Sequence, residues 1–351
     1  MTLRIGFAGC GFIASVHALA LDALAKAALV DARVVAVFDV DRARAEQFAE
    51  HQGAAVVDNV DALIDAVDVV WVCTWTAAHA EIVRAAARTG RAVYCEKPLA
   101  PTLPESEVVA RDLMSVPHQV GLVLRHSPAF VMLATELATG RWGSPLATVL
   151  RDDQFFPIQG MYRSEWRKDV ARAGGGTLLE HSIHDVDVLR WLLGDPERVS
   201  AHLACRSGHP GIDDVADVRF TFRDGGVATL VSVWHQVLTR PSTRRLEVFC
   251  SDAMLWLDDD HLGPLHIESD DGVACVVGAL PEWTGRLELP PEIAQPLAQY
   301  AVPARAFLDA VVAGVDASPG AAEALAAHRL VDAAYRSAAD DGASIDVRVG
   351  P

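Results

Sequence analysis

Leu3-Arg4-Ile5-Gly6-Phe7-Ala8-Gly9-Cys10-Gly11-Phe12-Ile13-Ala14 runs an apolar strand into a glycine turn that opens a helix. In that setting a G-x-G-x-x-A match carries structural meaning. The first glycine permits a tight turn, the second lets backbone approach a pyrophosphate, and Ala14 lets the helix lie close to the sheet. The helix start then offers unpaired N–H groups to phosphate. Gly9, Gly11, Phe12, Ile13 and Ala14 are therefore the expected dinucleotide contacts.

The second apolar run ends in Asp39, about 25 residues beyond the motif, near the spacing at which a carboxylate meets the adenosine ribose hydroxyls. A carboxylate there repels a 2′-phosphate, so NAD is expected over NADP. Arg42 is the counter-argument, because an arginine just past the strand is able to accept that phosphate. Its other reading is a solvated residue in the first turn of a helix.

Outward from this motif, short apolar runs alternate with Ala-rich amphipathic stretches to about residue 123, the grammar of βαβ units and a parallel sheet. Strands are expected at Leu3 to Ala8, Val34 to Asp39, Val56 to Val57, Val67 to Cys73, Ala92 to Cys95 and Gln119 to Leu122. Helices are expected at Ile13 to Ala28, Arg42 to Gln52, Val60 to Ala66, Ala78 to Thr89 and Leu103 to Val116. Beyond that point two helical stretches, Ala129 to Thr139 and Thr177 to Leu193, accompany strand-like runs with no helices between them, which predicts an antiparallel sheet. Asp224-Gly225-Gly226 reads as a hairpin turn into Val227 to Trp234. Pro281 to Pro303 reads as a surface loop, and Pro303 to Ala339 as two helices broken at Gly314 to Gly320. The fold class is α/β: a first domain over 1–123 and an α+β domain over 124–351, whose final helices have the option of packing back on the first.

With 51% hydrophobic and 22% charged residues, the chain has the composition of a folded globular protein. Its formal charge of -17 repels phosphate backbones and anionic membranes, so neither nucleic acid nor membrane is expected as a partner. Six cysteines without CxxC spacing indicate neither a disulfide framework nor zinc. Entry into a strand at Leu3 without a charged leader reads as a cytoplasmic protein.

Val93-Tyr94-Cys95-Glu96-Lys97-Pro98 places a charged pair at the carboxyl end of a strand, where open α/β sheets hold ligands; a surface ion pair is the alternative. Glu180-His181-Ser182-Ile183-His184-Asp185-Val186-Asp187 sets Glu180 and His184 four apart, the spacing of one helix face. An imidazole beside a carboxylate is able to shuttle a proton near neutral pH. A metal reading of His181 and His184 with Glu180, Asp185 and Asp187 lacks HExxH spacing, and no metal is expected. Asp185 and Asp187 would otherwise pair with Arg190 or cap nearby backbone.

The ordered set of glycine turn, Thr74 and His79, Glu96-Lys97-Pro98, and Gly174-Gly175-Gly176 ahead of a His-bearing helix resembles the glucose-fructose oxidoreductase, inositol dehydrogenase and rhizopine-catabolism (Gfo/Idh/MocA) family. The resemblance spans nearly the whole chain. It implies a Rossmann domain followed by a substrate domain with an open, mostly antiparallel sheet, which also makes a homodimer or homotetramer. It further implies NAD-dependent interconversion of a secondary alcohol and a ketone on a sugar, cyclitol or related polyol. Lys97 matches the family's catalytic lysine, His184 its acid/base position, and Glu180 stands where the family usually has aspartate. Glu96 would position Lys97 or touch the nicotinamide ribose. Trp75 replaces the family's usual proline, and would line the nicotinamide pocket or serve packing. Trp166 and Arg167 match a segment that approaches the active site. Arg125, Gln154, Tyr162, His181, Trp234 and His235 are further pocket candidates that no spacing rule selects. Two other activities on the same scaffold remain open: glycoside cleavage through transient oxidation by a retained NAD, and a non-catalytic dinucleotide sensor.

Overall fold

The computed structural model describes residues 2–348. They form two compact units: the chain up to Val123 with Pro281–Leu325, and Leu124–Leu280 with the chain from Ala326 onward.

The first unit alternates strand and helix: β1 (Leu3–Ala8), α1 (Phe12–Lys26), β2 (Ala32–Phe38), α2 (Arg42–Gln52), β3 (Ala55–Val56), α3 (Val60–Ala66), β4 (Val69–Val72), α4 (His79–Arg88), β5 (Ala92–Cys95), α5 (Leu103–Leu113) and β6 (His118–Val120). All six strands are parallel, in the order β3-β2-β1-β4-β5-β6. Every residue of β4 and β5 is buried, which explains why these runs are apolar throughout rather than alternating. The strand order reverses between β1 and β4, the switch point where such sheets take up ligands.

Helix starts in this unit differ in a telling way. Asp41, Asn59 and Thr102 cap α2, α3 and α5 with side-chain oxygens that accept the N–H of Arg44, Ala62 and Glu105. The start of α1 has Gly11 as its cap residue, with no side-chain cap and no acidic residue in the first turn. A helix start without its own capping side chain suits an anion.

The expected loop at Pro281 to Pro303 is corrected. Pro291–Ala313 is one helix, with Pro296 and Pro303 inside it. Its Leu297, Ala301, Ala304, Phe307 and Leu308 are buried in the first-unit core, where Phe307 meets Trp71 edge-on at 5.6 Å. Burial of that apolar face outweighs the helix bonds lost at the prolines, a tertiary effect that local proline content does not reveal.

The second unit is built on a nine-stranded sheet. Its strands are β7 (Pro145–Phe155), β8 (Arg198–Ala204), β9 (Val215–Thr221), β10 (Val227–His235), β11 (Thr243–Cys250), β12 (Ala253–Leu257), β13 (Leu265–Ser269), β14 (Gly272–Val276) and β15 (Ile345–Asp346). Their order is β14-β13-β12-β11-β7-β10-β9-β8-β15, antiparallel throughout except where β7 and β10 run parallel. The helices between β7 and β8 supply the crossover that a parallel pair requires. Along β10, Ala228, Leu230, Ser232 and Trp234 are buried while the residues between them are half-buried. One sheet face therefore carries the core and the other stays open. β14 escaped the sequence reading because it is an edge strand exposed at every residue, without alternation to betray it. Among the described residues no helix is long and apolar enough to cross a membrane.

Candidate functional site

In the first unit, the glycine turn is built for close approach. Gly9 has φ +87°, and a Cβ there would stand 2.6 Å from the Cys73 carbonyl oxygen. No other residue fits that position without displacing β4. Nothing lies within 4 Å of a Cβ placed on Gly11, so this side of the turn is open. Ala14 is fully buried, Ile13 partly so, and Phe12 is exposed.

Asp39 closes the turn from the next strand. Its Oδ2 accepts the Cys10 N–H at 2.8 Å and its Oδ1 the Asp41 N–H at 2.8 Å. A carboxylate fixed by two backbone donors is ready to receive ribose hydroxyls on its remaining lone pairs. Arg42 is drawn away from this corner by Glu46 at 2.9 Å and Asp58 at 2.8 Å. The cation that does reach Asp39 is Arg44, at 3.5 Å. Burial pushes the Cys10 thiol up to about 12, with the Asp39 charge adding to the rise.

Thr74 follows β4 at the switch point, and its buried Oγ1 has no hydrogen-bond partner in the protein. Such an orphan beside a backbone turn suits a polar ligand. Trp75 is half-buried, in extended backbone. His79 is buried with Nδ1 3.0 Å from the Pro98 carbonyl oxygen and Nε2 3.3 Å from that of Thr74. It ties the Thr74 turn to the Glu96-Lys97-Pro98 turn. Burial lowers its affinity for a second proton, against the pull of these carbonyls and of Glu96. Glu96 is nearly buried and Lys97 partly exposed. The residues present thus fit a dinucleotide: a helix start without a side-chain cap, an open glycine turn, a fixed carboxylate and an orphan hydroxyl.

In the second unit, the expected single helix over Thr177 to Leu193 is two pieces: a π-helical turn at Thr177–His181 and an α-helix at Ile183–Leu193. Asp213 fastens the start of the π-helical turn. Its carboxylate accepts the N–H groups of Gly176 at 2.7 Å and Leu178 at 2.9 Å, and the Tyr335 hydroxyl at 2.7 Å. A Cβ on Gly176 would stand 1.8 Å from the Asp213 carbonyl oxygen, and one on Gly175 2.2 Å from the Tyr335 hydroxyl. The triple glycine is thus an imprint of Asp213 and Tyr335. π-Turns of this kind re-aim side chains. Glu180 lies in the turn and His184 in the first turn of the α-helix, so they do not share the face of one continuous helix.

Glu180 is buried and is reached by Arg167, whose Nε is 3.2 Å from Oε2. Arg167 in turn lies over the Trp166 ring at 4.5 Å. His184 is 8% exposed, enough for a group that meets a small molecule. Tyr162, partly buried against Phe155 at 5.4 Å, lies in the field of Arg167 and Arg244; burial still raises its hydroxyl.

His181 belongs to a buried network that sheet register assembles. Ser232, Asp152 and Arg244 stand side by side on β10, β7 and β11, facing the helix. His181 Nε2 is 2.9 Å from Asp152, Ser182 Oγ donates to Asp152 at 3.0 Å, and Arg244 Nε donates to Asp185 at 2.7 Å. With Arg244 at its centre the group is a poor cation site, and among the described residues no cluster suited to a metal ion is present.

Several pocket candidates have other work. Trp234 is 4% exposed and packs edge-on against Phe156 at 5.0 Å, a core residue rather than a pocket wall. Gln154 is buried on β7. Both arms of Arg125 donate to Asp187 at 2.8 Å, which replaces the expected pairing of Asp187 with Arg190. Asp185 likewise pairs with Arg244 and not with Arg190, which is held by Asp195. His235 lies 3.4 Å from Asp153. The sequence reading passed over His17, Arg44, Asp152, Asp213 and Arg244. The signal available for one of them was Asp152-Asp153 inside an otherwise strand-like run, where adjacent carboxylates need buried partners.

Two family descriptions match the chain: an oxidoreductase family with an NAD-binding Rossmann fold over residues 3–120, and the GFO/IDH/MocA C-terminal domain over residues 130–256. The chain belongs to the Gfo/Idh/MocA oxidoreductase family. Residues 3–120, the larger part of its first unit, match that family's NAD-binding domain. The chain is 30% identical to an inositol 2-dehydrogenase of Rhizobium meliloti (strain 1021), over 97% of this chain and 98% of the relative. It is 32% identical to a 1,5-anhydro-D-fructose reductase of Ensifer adhaerens, over 56% of this chain and 60% of that protein. A levoglucosan dehydrogenase solved with NADH and levoglucosan shares the fold, with a TM-score of 0.87 at 23% identity over 99% of this chain and 100% of that one.

Proposed function

We propose that this family member is an NAD-dependent dehydrogenase that interconverts a secondary alcohol and a ketone on a cyclitol or sugar. The observation that carries the reading is an end-to-end match to an inositol 2-dehydrogenase in a chain that also presents Lys97 and the Glu180/His184 turn. Gly9, Gly11 and the start of α1 would hold the pyrophosphate, Asp39 the adenosine ribose, and Thr74 and Glu96 the nicotinamide end. NAD bound there supplies the hydride acceptor for alcohol oxidation.

The chain's own groups manage the proton and the charge. His184 takes the hydroxyl proton as general base, and returns it in the reverse direction. Lys97 donates to the oxygen that becomes an alkoxide and stabilises the charge developing on it. Glu180, steadied by Arg167, orients His184 and a substrate hydroxyl.

Two further features belong to this reading. The open face of the second-unit sheet, where Val149 and Phe249 are 40% and 38% exposed, supports a homo-oligomer formed through that face. Six free thiols, four of them buried, support residence in the reducing cytoplasm.

His184→Ala tests the central assignment. Hydride transfer should be lost while the Kd for NAD stays within about twofold of wild type. An equal loss of NAD binding would show that His184 serves the cofactor and not the substrate.

A further inference from the structure

His17 lies on the inner face of α1, one turn past Ala14, and is completely buried. Its Nε2 is 2.7 Å from Glu96 Oε1. The ring is walled by Tyr94 at 5.0 Å and Tyr300 at 5.3 Å, both edge-on, and Nδ1 has no hydrogen-bond partner. An imidazole with one orphan nitrogen is a poor choice for filling apolar space. Its presence there points to the other nitrogen.

The surroundings of Glu96 are shaped for a fixed carboxylate. A Cβ on Gly121 would stand 2.8 Å from Oε1, so the absence of a side chain there makes the room. The groups that face Glu96 come from every element around it: His17 from α1, His79 from α4, Cys73 after β4, Tyr94 and Cys95 on β5, with Lys97 next in sequence. Tyr300, on the Pro291–Ala313 helix, faces Tyr94 and His17. Burial alone would raise the Glu96 carboxyl, but the His17 hydrogen bond and charge, followed by the charges of Lys97 and His79, bring it below its ordinary value.

We propose that His17 is a positioning residue for Lys97: its Nε2 hydrogen bond fixes the Glu96 carboxylate, and the fixed carboxylate orients the neighbouring ammonium toward the reacting oxygen. The inference rests on the reading of Lys97 as the group that stabilises the developing alkoxide. It joins the helix that receives the pyrophosphate to the turn that carries the chemistry, since α1 begins at the glycine motif and His17 lies on it.

The test uses the full-length protein with NAD and its alcohol substrate, in His17→Phe, His17→Gln, Glu96→Gln and Lys97→Ala forms. His17→Phe removes the donor and keeps the ring. Its kcat should fall at least tenfold with the Kd for NAD within about twofold of wild type. The basic limb of its kcat–pH profile should move to lower pH, because an ammonium without its fixed carboxylate gives up its proton more easily. Glu96→Gln should reproduce that shift, and the double variant should lose no more than either single one.

His17→Gln retains an N–H and should recover most of kcat and the wild-type limb; it also serves if His17→Phe fails to fold. An unmoved basic limb in both His17→Phe and Glu96→Gln would overturn the proposal, as would a His17→Gln enzyme as impaired as Glu96→Gln. Lys97→Ala separates the two levels of the account. If it abolishes turnover while the His17 variants are unaffected, only the positioning role is wrong. If Lys97→Ala itself is fully active, the reading of Lys97 has failed.

Discussion

Arg244 Nε donates to Asp185 Oδ1 at 2.7 Å, and Nη1 of the same guanidinium donates to Asp260 Oδ2 at 2.7 Å. One buried cation on β11 therefore holds the His184-bearing helix and the loop after β12. Arg244→Met would leave the carboxylates of Asp152, Asp185 and Asp260 without it. Removing one partner from a buried ion pair costs roughly 3–5 kcal/mol. Thermal unfolding should move down by about 10 °C, with aggregation on expression as the more severe form of the same result. A melting temperature unchanged within about 2 °C would mean that water already serves these carboxylates.

The same network sets a pH dependence. Burial pushes Asp185 up to about 7, against the pull of Arg244 and with the like charge of Asp152 adding to the rise. Asp152 is raised too, again chiefly by burial. A carboxyl raised in the fold binds a proton that the unfolded chain has already released, so its contribution is complete below about pH 4 and is lost as pH rises through about 7. Asp185→Asn should flatten the decline of the urea midpoint between pH 5 and pH 8. A slope identical to wild type would assign the decline to other groups.

Gly176→Ala should be among the most damaging single methyl additions in the chain, because the new carbon meets Asp213 backbone at 1.8 Å. Gly285→Ala is the matched control, with nothing within 4 Å of the added methyl. The expected outcome is loss of soluble protein or of more than about 4 kcal/mol for the first, and less than about 0.5 kcal/mol for the second. Comparable stabilities would mean that the π-helical turn relaxes away from Asp213.

Asp39 fastens the glycine turn and is the proposed partner of the adenosine ribose, so Asp39→Ala should raise the Kd for NAD at least tenfold, about 1.4 kcal/mol. Arg44→Ala should barely alter NAD binding, and Arg42→Ala should not alter it at all, since Glu46 and Asp58 already engage that side chain. Titration of each variant by quenching of protein fluorescence checks the order. Weaker NAD binding in Arg42→Ala than in Asp39→Ala would reverse the assignment of this corner.

The first unit was open to reading from sequence because its logic is local. Buried parallel strands leave unbroken apolar runs, and the glycine turn leaves a fixed spacing. Asp39 and Lys97 follow the ends of β2 and β5, where a sequence motif marks the position. What escaped was non-local. His17 follows the turn on a face that reads as plain helix core, and only the fold brings Glu96 beneath it. Arg244 meets Asp152 through strand register across residues 92 apart. The start of the π-helical turn is held by Asp213, a residue no helix periodicity implicates. Pro291–Ala313 failed for a related reason: two prolines argue for a loop until the buried face of Phe307 and Leu308 is known.

In the proposed reaction the chain oxidises a secondary alcohol at the expense of NAD, with His184 and Lys97 handling the proton and the oxyanion. The most direct measurement is the stoichiometry of NADH formed per alcohol consumed, followed at the NADH absorbance with purified protein, NAD and a panel of cyclitols and sugars that includes inositol. The account predicts one NADH per ketone formed, and none in His184→Ala. Product released without net NADH would contradict it, and would point to transient oxidation by a retained cofactor.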